Sequence, residues 1–249
     1  MSCSHKKLYC IFPAAGSGTR MHSDKNKLLM EVDGITVIDR TLSAFRRFSD
    51  EEDIDISCVL VVTPGKTEQW NSYLKDKDYA HIIKAVVEGG STRTGSVSNG
   101  VKALSGILPA PSSSDPVFIH DAARCLIDKG SLRRCFDEIG KECTSVCVSG
   151  VKTKNTIKMV RKTDDSVTVE STPDRDLLYE VQTPQCFKYG CLTECYGKAA
   201  KEGFEATDDT ALAEHYGYEV KIVEGSYSNI KITTPEDIAI AEALLCELS

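Results

Sequence analysis

The sequence predicts an α/β fold, Rossmann-like in outline: a mostly parallel sheet with helices on both faces and a β-hairpin arm protruding from it. Three observations predict it. Short apolar runs alternate with amphipathic stretches along almost the whole chain. The runs are rich in β-branched residues, as expected of buried strands. One segment, Asn155 to Thr172, instead alternates polar and apolar residues on either side of a turn. With 249 residues, 41% of them hydrophobic, the chain can bury the core of one large domain. Residues 1–249 therefore read as a single domain, with 152–176 as an arm within it.

Taken in order, Leu8–Phe12 (LYCIF), Ile56–Val62 (ISCVLVV), His81–Val87 (HIIKAVV), Val117–His120 (VFIH) and Ser145–Val151 (SVCVSGV) read as buried strands. Ile38, Leu42 and Phe45 share one helical face, as do Val97, Val101 and Leu104. Ser105–Pro116 is rich in proline and serine and predicts a surface loop. In the arm, Ile157 and Met159 alternate with polar residues, "KTDD" turns the chain, and Val167 and Val169 alternate again. An isolated hairpin is marginal in water, so this one is expected to pack on something, such as a second subunit. A final helix is announced by "TTPEDIAIAEALL", with Thr234 at the N-cap, Pro235 at the first helical position and Asp237 as the capping-box acid.

Composition excludes several classes. A net charge of −7 argues against a general nucleic-acid binder, which needs a cationic face. No run approaches the roughly 18 apolar residues of a membrane span. The eleven cysteines include no CxxC pair, and Cys143/Cys147 and Cys191/Cys195 lack metal-ligand spacing. No protein metal ligand is assigned. Unpaired thiols and an N-terminus without an apolar core predict a cytoplasmic protein.

The segment "CIFPAAGSGTRMHSDKNK", Cys10 to Lys27, carries the chemistry. Gly16 and Gly18 suit a dinucleotide fingerprint, but Met21 stands at the third glycine position. The P-loop pattern is absent too. Arg20, Lys25 and Lys27 instead crowd cations behind a loop of exposed backbone N–H groups, an arrangement that suits a polyphosphate.

Together with "EGGSTRTGSV", "HDAAR", "TPQCF", "TDDTALAE" and "EGSYSNIKITTPEDI", in that order, this segment resembles the 2-C-methyl-D-erythritol 4-phosphate cytidylyltransferases of non-mevalonate isoprenoid synthesis. The resemblance covers about residues 8 to 246. It implies the nucleotide-diphospho-sugar transferase type of fold. It also implies a reaction in which a phosphate oxygen of methylerythritol phosphate attacks the α-phosphorus of CTP and pyrophosphate leaves. Such a displacement depends on positioning and on charge stabilisation.

Matched motif by motif, the resemblance implies that Ala14, Ala15, Gly16 and Gly18 wrap the triphosphate. Arg20, Lys27 and Lys231 become the catalytic cations. Gly90, Ser96 and Ala122 hold the nucleotide, with Gly90 reading the cytosine edge. Asp121 contacts the polyol hydroxyls or helps to position the metal-bound phosphates, and Thr183 and Thr207 are hydroxyl-bearing contacts of the polyol phosphate. Thr156 and Arg175 reach across a homodimer formed by the arm and hold that substrate's phosphate in the neighbour's site. For Arg93 a structural and a catalytic role both stay open, the structural one being favoured. Mg²⁺ is implied as the ion that neutralises and shapes the triphosphate.

Read without the resemblance, Asp121 is a helix N-cap, Lys231 an ordinary strand lysine, and Arg175 a surface partner of Asp174 or Asp176. The sequence departs from the family pattern at Asn26, Leu28, Ser91 and Cys125. None of these changes removes a proposed cation, although Ser91 lies in the cytosine loop. Ribitol phosphate as the acceptor, and a nonenzymatic nucleotide sensor, are the competing readings.

Overall fold

The computed structural model describes residues 6–16 and 26–248. The first strand, β1 (Lys6–Ala14), is followed by a short antiparallel pair, β2 (Glu31–Val32) and β3 (Ile35–Thr36), and helix α1 (Val37–Glu52). Next come β4 (Ile54–Val62), α2 (Thr67–Leu74), β5 (Ile83–Glu88), α3 (Arg93–Leu104), β6 (Pro116–Ile119) and α4 (Lys129–Ile139). Strand β7 (Val146–Lys152) leads into the arm, β8 (Met159–Lys162) and β9 (Val167–Ser171). The chain closes with β10 (Tyr179–Lys188), α5 (Tyr189–Glu202), α6 (Asp209–His215), β11 (Val220–Glu224) and α7 (Glu236–Leu248).

Seven strands form one sheet in the order β11-β7-β10-β6-β1-β4-β5. Every pairing is parallel except the two made by β10. Successive side chains of a strand face opposite ways, and both faces are buried here. Leu8, Cys10 and Phe12 enter one core with α1, α2, α4 and α7, while Tyr9 and Ile11 enter the other with α3, α5 and α6. Two separate apolar layers explain why the strands read as apolar runs. Helix α3 lies close on the sheet because Gly100 has no side chain. A Cβ there would stand 2.6 Å from Ile11 Cγ2 and 3.0 Å from Val61 Cγ2.

The expected mostly parallel sheet with helices on both faces is therefore present. Three details differ. His81 and Ile82 form a 3₁₀ turn ahead of β5, and His120 lies beyond the end of β6. The edge strand β11 and the central strand β10 were not anticipated. Proline argues against a central strand because it cannot donate to the ladder. Pro184 is accommodated where the β10–β7 register shifts between Val181 and Gln185.

The arm is an antiparallel hairpin outside the main sheet, pairing Val160 with Val169 and Lys162 with Val167. Its apolar residues are exposed, Val167 by 65% and Met159 by 55%. At its base, Thr153 N–H donates to Leu178 O at 3.1 Å and the Tyr227 hydroxyl to Lys152 O at 2.8 Å. Asp237 Oδ2 accepts from Thr233 N, Thr234 N and Thr233 Oγ1, so the expected acid caps the start of α7. Among the described residues, no helix is long and apolar enough to cross a membrane.

Candidate active site

Strands β6, β1, β4 and β5 are neighbours, run parallel and end along one edge of the sheet. The chain leaves β1 toward α1 and β4 on one side, while β6 flanks β1 on the other. Open α/β sheets bind ligands at such a switch in direction. Here the carboxyl ends of β1, β5 and β6 line a cavity of about 430 Å³. Ala14, Ala15 and Gly16 form one wall, Gly90 to Arg93 with Ser96 a second, and Asp121 with Ala123 a third. Lys27 closes one side, and Lys231 and Thr233 arrive from the segment after β11.

Local chemistry builds each wall. After β5 the chain is pinned to the sheet by Gly89 N–H on Val62 O at 2.7 Å. It then folds back so tightly that a Cβ on Gly90 would lie 2.9 Å from the Gly95 carbonyl carbon. Thr92 caps α3, its hydroxyl oxygen accepting from Gly95 N at 3.0 Å. Ser96 Oγ accepts from Gly90 N at 3.1 Å and donates to Thr92 O at 2.8 Å. The Ser96 hydroxyl is thus spent on shaping the loop.

The Asp121 wall hangs on β10. His120 is fully buried, with Nε2 3.2 Å from Arg124 O and Nδ1 3.0 Å from Thr183 Oγ1. A carbonyl only accepts, so Nε2 carries the proton and Nδ1 accepts from the threonine hydroxyl. Thr183 Oγ1 in turn accepts from Asp121 N at 3.1 Å. Burial outweighs the favourable hydrogen bonds and pushes the His120 pKa down to about 4, so the imidazole is neutral.

Asp121 Oδ2 lies 2.8 Å from Lys231 Nζ and 3.5 Å from Arg124 Nε. Burial alone would raise this carboxyl. Lys231, then Arg124 and Arg93, outweigh it and hold the pKa at about 2. Lys231 lies on irregular chain after β11, not on a strand, and is positioned because Ile232 N donates to Ala123 O at 2.9 Å, fastening its segment to the Asp121 loop. Lys27 Nζ donates to Ile232 O at 3.2 Å from the opposite side. The result is a polar pocket with two lysines from segments far apart in sequence, backbone donors, and one ionised carboxylate.

Eight expected residues line this cavity: Ala14, Ala15, Gly16, Lys27, Gly90, Ser96, Asp121 and Lys231. Gly18 and Arg20, and with them Lys25, fall outside the described residues. Ala122 is buried behind the wall, its carbonyl accepting from Thr41 Oγ1 at 2.9 Å. Thr183 also lies behind the wall, where it positions the Asp121 loop. Thr207 is exposed on the loop before α6 and is not among the residues that line the cavity. Thr156 and Arg175 belong to the exposed arm and do not line the cavity within this chain; Arg175 Nη1 donates to Lys154 O at 3.4 Å.

Sequence reasoning missed Thr92, Thr233, Leu28 and Arg124 as builders of the site. For Thr92 a signal existed, since a threonine opening a helix is a capping residue. Arg93 pairs with Asp209, its Nη2 2.6 Å from Oδ2, and does so on the cavity wall. No group of three or more His, Cys, Asp or Glu side chains that could hold a metal occurs among the described residues. Asp121 is the carboxylate at the cavity. This donor set suits Mg²⁺ carried mainly by phosphate oxygens and water, since that ion uses few protein ligands at nucleotide sites.

Residues 8–247 match the family model described as 2-C-methyl-D-erythritol 4-phosphate cytidylyltransferase. A protein of that name from Nostoc sp. is 40% identical over 238 residues, covering 96% of this chain and 97% of the relative. One from Clostridium novyi is 38% identical over 235 residues, covering 94% and 95%. The crystal structure of 4-diphosphocytidyl-2C-methyl-D-erythritol synthase from Anaerococcus prevotii superposes with a TM-score of 0.78 at 33% identity, covering 97% of this chain and 99% of that one. A 2-C-methyl-D-erythritol 4-phosphate cytidylyltransferase from Thermus thermophilus gives 0.72 at 27% identity, covering 96% and 98%. A match of this length, reaching from the first strand through the last helix, means that the chain belongs to the 2-C-methyl-D-erythritol 4-phosphate cytidylyltransferase family.

Proposed function

We infer that this chain joins CTP to 2-C-methyl-D-erythritol 4-phosphate. An acceptor phosphate oxygen forms a bond to the α-phosphorus, the bond from that phosphorus to the bridging oxygen of pyrophosphate breaks, and pyrophosphate leaves. The observation that carries this reading is the meeting of Lys27 and Lys231 at one cavity with the end of β1 and the Gly90 loop. Two polyanions must approach each other there, and fixed cations offset their repulsion in a site partly shielded from water.

In this reading Ala14–Gly16 and Gly18 donate backbone N–H groups to the triphosphate. Lys27 and Arg20 stabilise its charge, and Lys231 faces the α-phosphate. The Gly90 loop holds the cytosine. Asp121, with Thr183 behind it, serves the polyol hydroxyls, and Thr207 is a further contact of the same substrate. Mg²⁺, when bound, neutralises the triphosphate and draws charge from the leaving group. Thr156 and Arg175 act in the site of a second copy, through a homodimer formed by the arm; the exposed valines of β9 support that pairing. All ten described cysteines are free thiols, which supports a cytoplasmic setting.

The test is pyrophosphate release with CTP and Mg²⁺, comparing methylerythritol phosphate with ribitol phosphate. Release with the first acceptor alone supports the reading. Release with ribitol phosphate alone keeps the mechanism and changes the acceptor. CTP binding without turnover on either acceptor would leave a sensor.

A further inference from the structure

One side chain on the wall assigned to the base is tied to a distant part of the fold. Arg93 is the first residue of α3, directly after the Gly89–Thr92 loop. Its Nη1 lies 2.8 Å from Asp209 Oδ1 and its Nη2 2.6 Å from Asp209 Oδ2. A two-point pairing of this kind sets orientation as well as distance. The anchor is rigid in its turn. The Asp209 side chain is fully buried, its Oδ1 accepts from the Tyr196 hydroxyl at 2.5 Å, and its backbone N–H donates to Gln185 Oε1 on β10 at 2.8 Å. Thr210 N donates to the same Gln185 oxygen at 3.0 Å.

The loop is thereby held at both ends, by Gly89 N–H on the Val62 carbonyl and by Arg93 on Asp209. Between them, the bonds of Ser96 Oγ to Gly90 and of Thr92 Oγ1 to Gly95 are internal to the loop and α3. They shape the loop and tie it to α3, which Val97, Val101 and Gly100 seat on the sheet, and Arg93 adds a second, directional anchor toward α6. A buried ion pair adds little stability over apolar side chains of equal volume, because desolvation offsets the attraction. What it adds is direction. Burial opposes the Arg93 charge, yet Asp209 outweighs burial and raises its pKa, so the guanidinium stays ionised and committed to this carboxylate.

We propose that Arg93, through its two-point pairing with Asp209, is a positioning residue that sets the Gly90 backbone in register with the nucleotide base. The inference rests on the cytidylyltransferase reading of the site. It gives the pair a duty in nucleotide affinity, separate from the cations that act on the phosphates.

The experiment compares Arg93→Lys, Asp209→Asn and their double variant with the parent protein. It reads the CTP dissociation constant with Mg²⁺ present, kcat, both KM values, and amide exchange across residues 89–95 without ligand. Arg93→Lys keeps the charge and loses the fork. Each single variant is expected to weaken CTP about tenfold, as misalignment of a positioned contact does, with little change in kcat or in the acceptor KM. Amide exchange at Gly90 and Gly95 should quicken, and the double variant should be no worse than either single one, because the pair acts as a unit.

Unchanged CTP affinity and unchanged loop exchange in a folded Arg93→Lys protein would overturn the proposal. So would a fall in kcat with CTP affinity intact, which would make Arg93 a phosphate cation. A parent protein that binds no CTP would remove the cytidylyltransferase reading itself, while the exchange data would still decide whether the pair holds the loop.

Discussion

Lys231 Nζ stands 2.8 Å from Asp121 Oδ2, joining the segment after β11 to the end of β6 at the wall of the cavity. Each group aims the other. The carboxylate holds a flexible lysine in one rotamer, and the lysine helps to hold the Asp121 pKa at about 2.

Removing that lysine should therefore have two effects. Lys231→Ala is expected to lower kcat by about 10² or more, the usual scale for loss of one preorganised charge-stabilising group. It should also let the Asp121 pKa rise, because burial then meets less opposition, leaving chiefly Arg124 and Arg93. Steady-state kinetics and carboxyl titration by NMR read the two effects. Wild-type turnover in Lys231→Ala would remove it from the mechanism.

Lys27 is only half-buried and sits on a short 3₁₀ turn, so Lys27→Ala should leave the fold intact. Stability should fall by only about 1 kcal/mol, the scale of one lost hydrogen bond to Ile232 O. Turnover should nonetheless drop steeply. Thermal melting alongside pyrophosphate release checks both, and a well-folded variant with normal turnover would count against the role.

Arg175→Ala should weaken binding of the polyol phosphate more than binding of CTP, because Arg175 lies on the arm rather than on this chain's own cavity wall. If the arm completes a neighbour's site, mixing Lys27→Ala with Arg175→Ala should restore activity in hybrid dimers that contain one intact site. Exchange of subunits without rescue would sink the shared site.

His120 predicts an acid-sensitive fold. Its folded pKa of about 4 lies below the ordinary 6.5, so the unfolded chain binds the extra proton first. The stability from the neutral imidazole is present above about pH 6.5 and is lost as pH falls toward 4. A shift of that size is worth about 3 kcal/mol. Denaturant titrations of the parent and of His120→Gln over this window should diverge. Parallel curves would place the titration elsewhere. Below about pH 4, protonation of Asp121 adds a further loss, because its folded pKa is also depressed.

The fold was legible in the sequence to the extent that periodicity records burial. LYCIF and ISCVLVV are almost wholly apolar because β1 and β4 have helices on both faces, and the face shared by Ile38, Leu42 and Phe45 marks the side of α1 that enters the core. Where tertiary contacts override local preference, the sequence stayed silent. Pro184 speaks against a central strand, and only the register shift against β7 lets β10 carry it there.

The candidate site divides in the same way. By itself the sequence determined which residue types were available: a glycine-containing turn followed by cations, an aspartate after a strand, a lysine near the C-terminal helix, and a hairpin too exposed to stand alone. Those are local patterns, set by backbone freedom and side-chain chemistry. Only the tertiary structure decided which groups meet, because parallel strand order brings the ends of β1, β5 and β6 together regardless of their distance along the chain. It aligned Lys231 with Asp121, turned the Thr183 hydroxyl inward to hold the Asp121 loop, and gave Arg93 its partner in Asp209. Pairings of that kind depend on distances of a few ångströms between remote segments, and no local pattern in a single sequence encodes them.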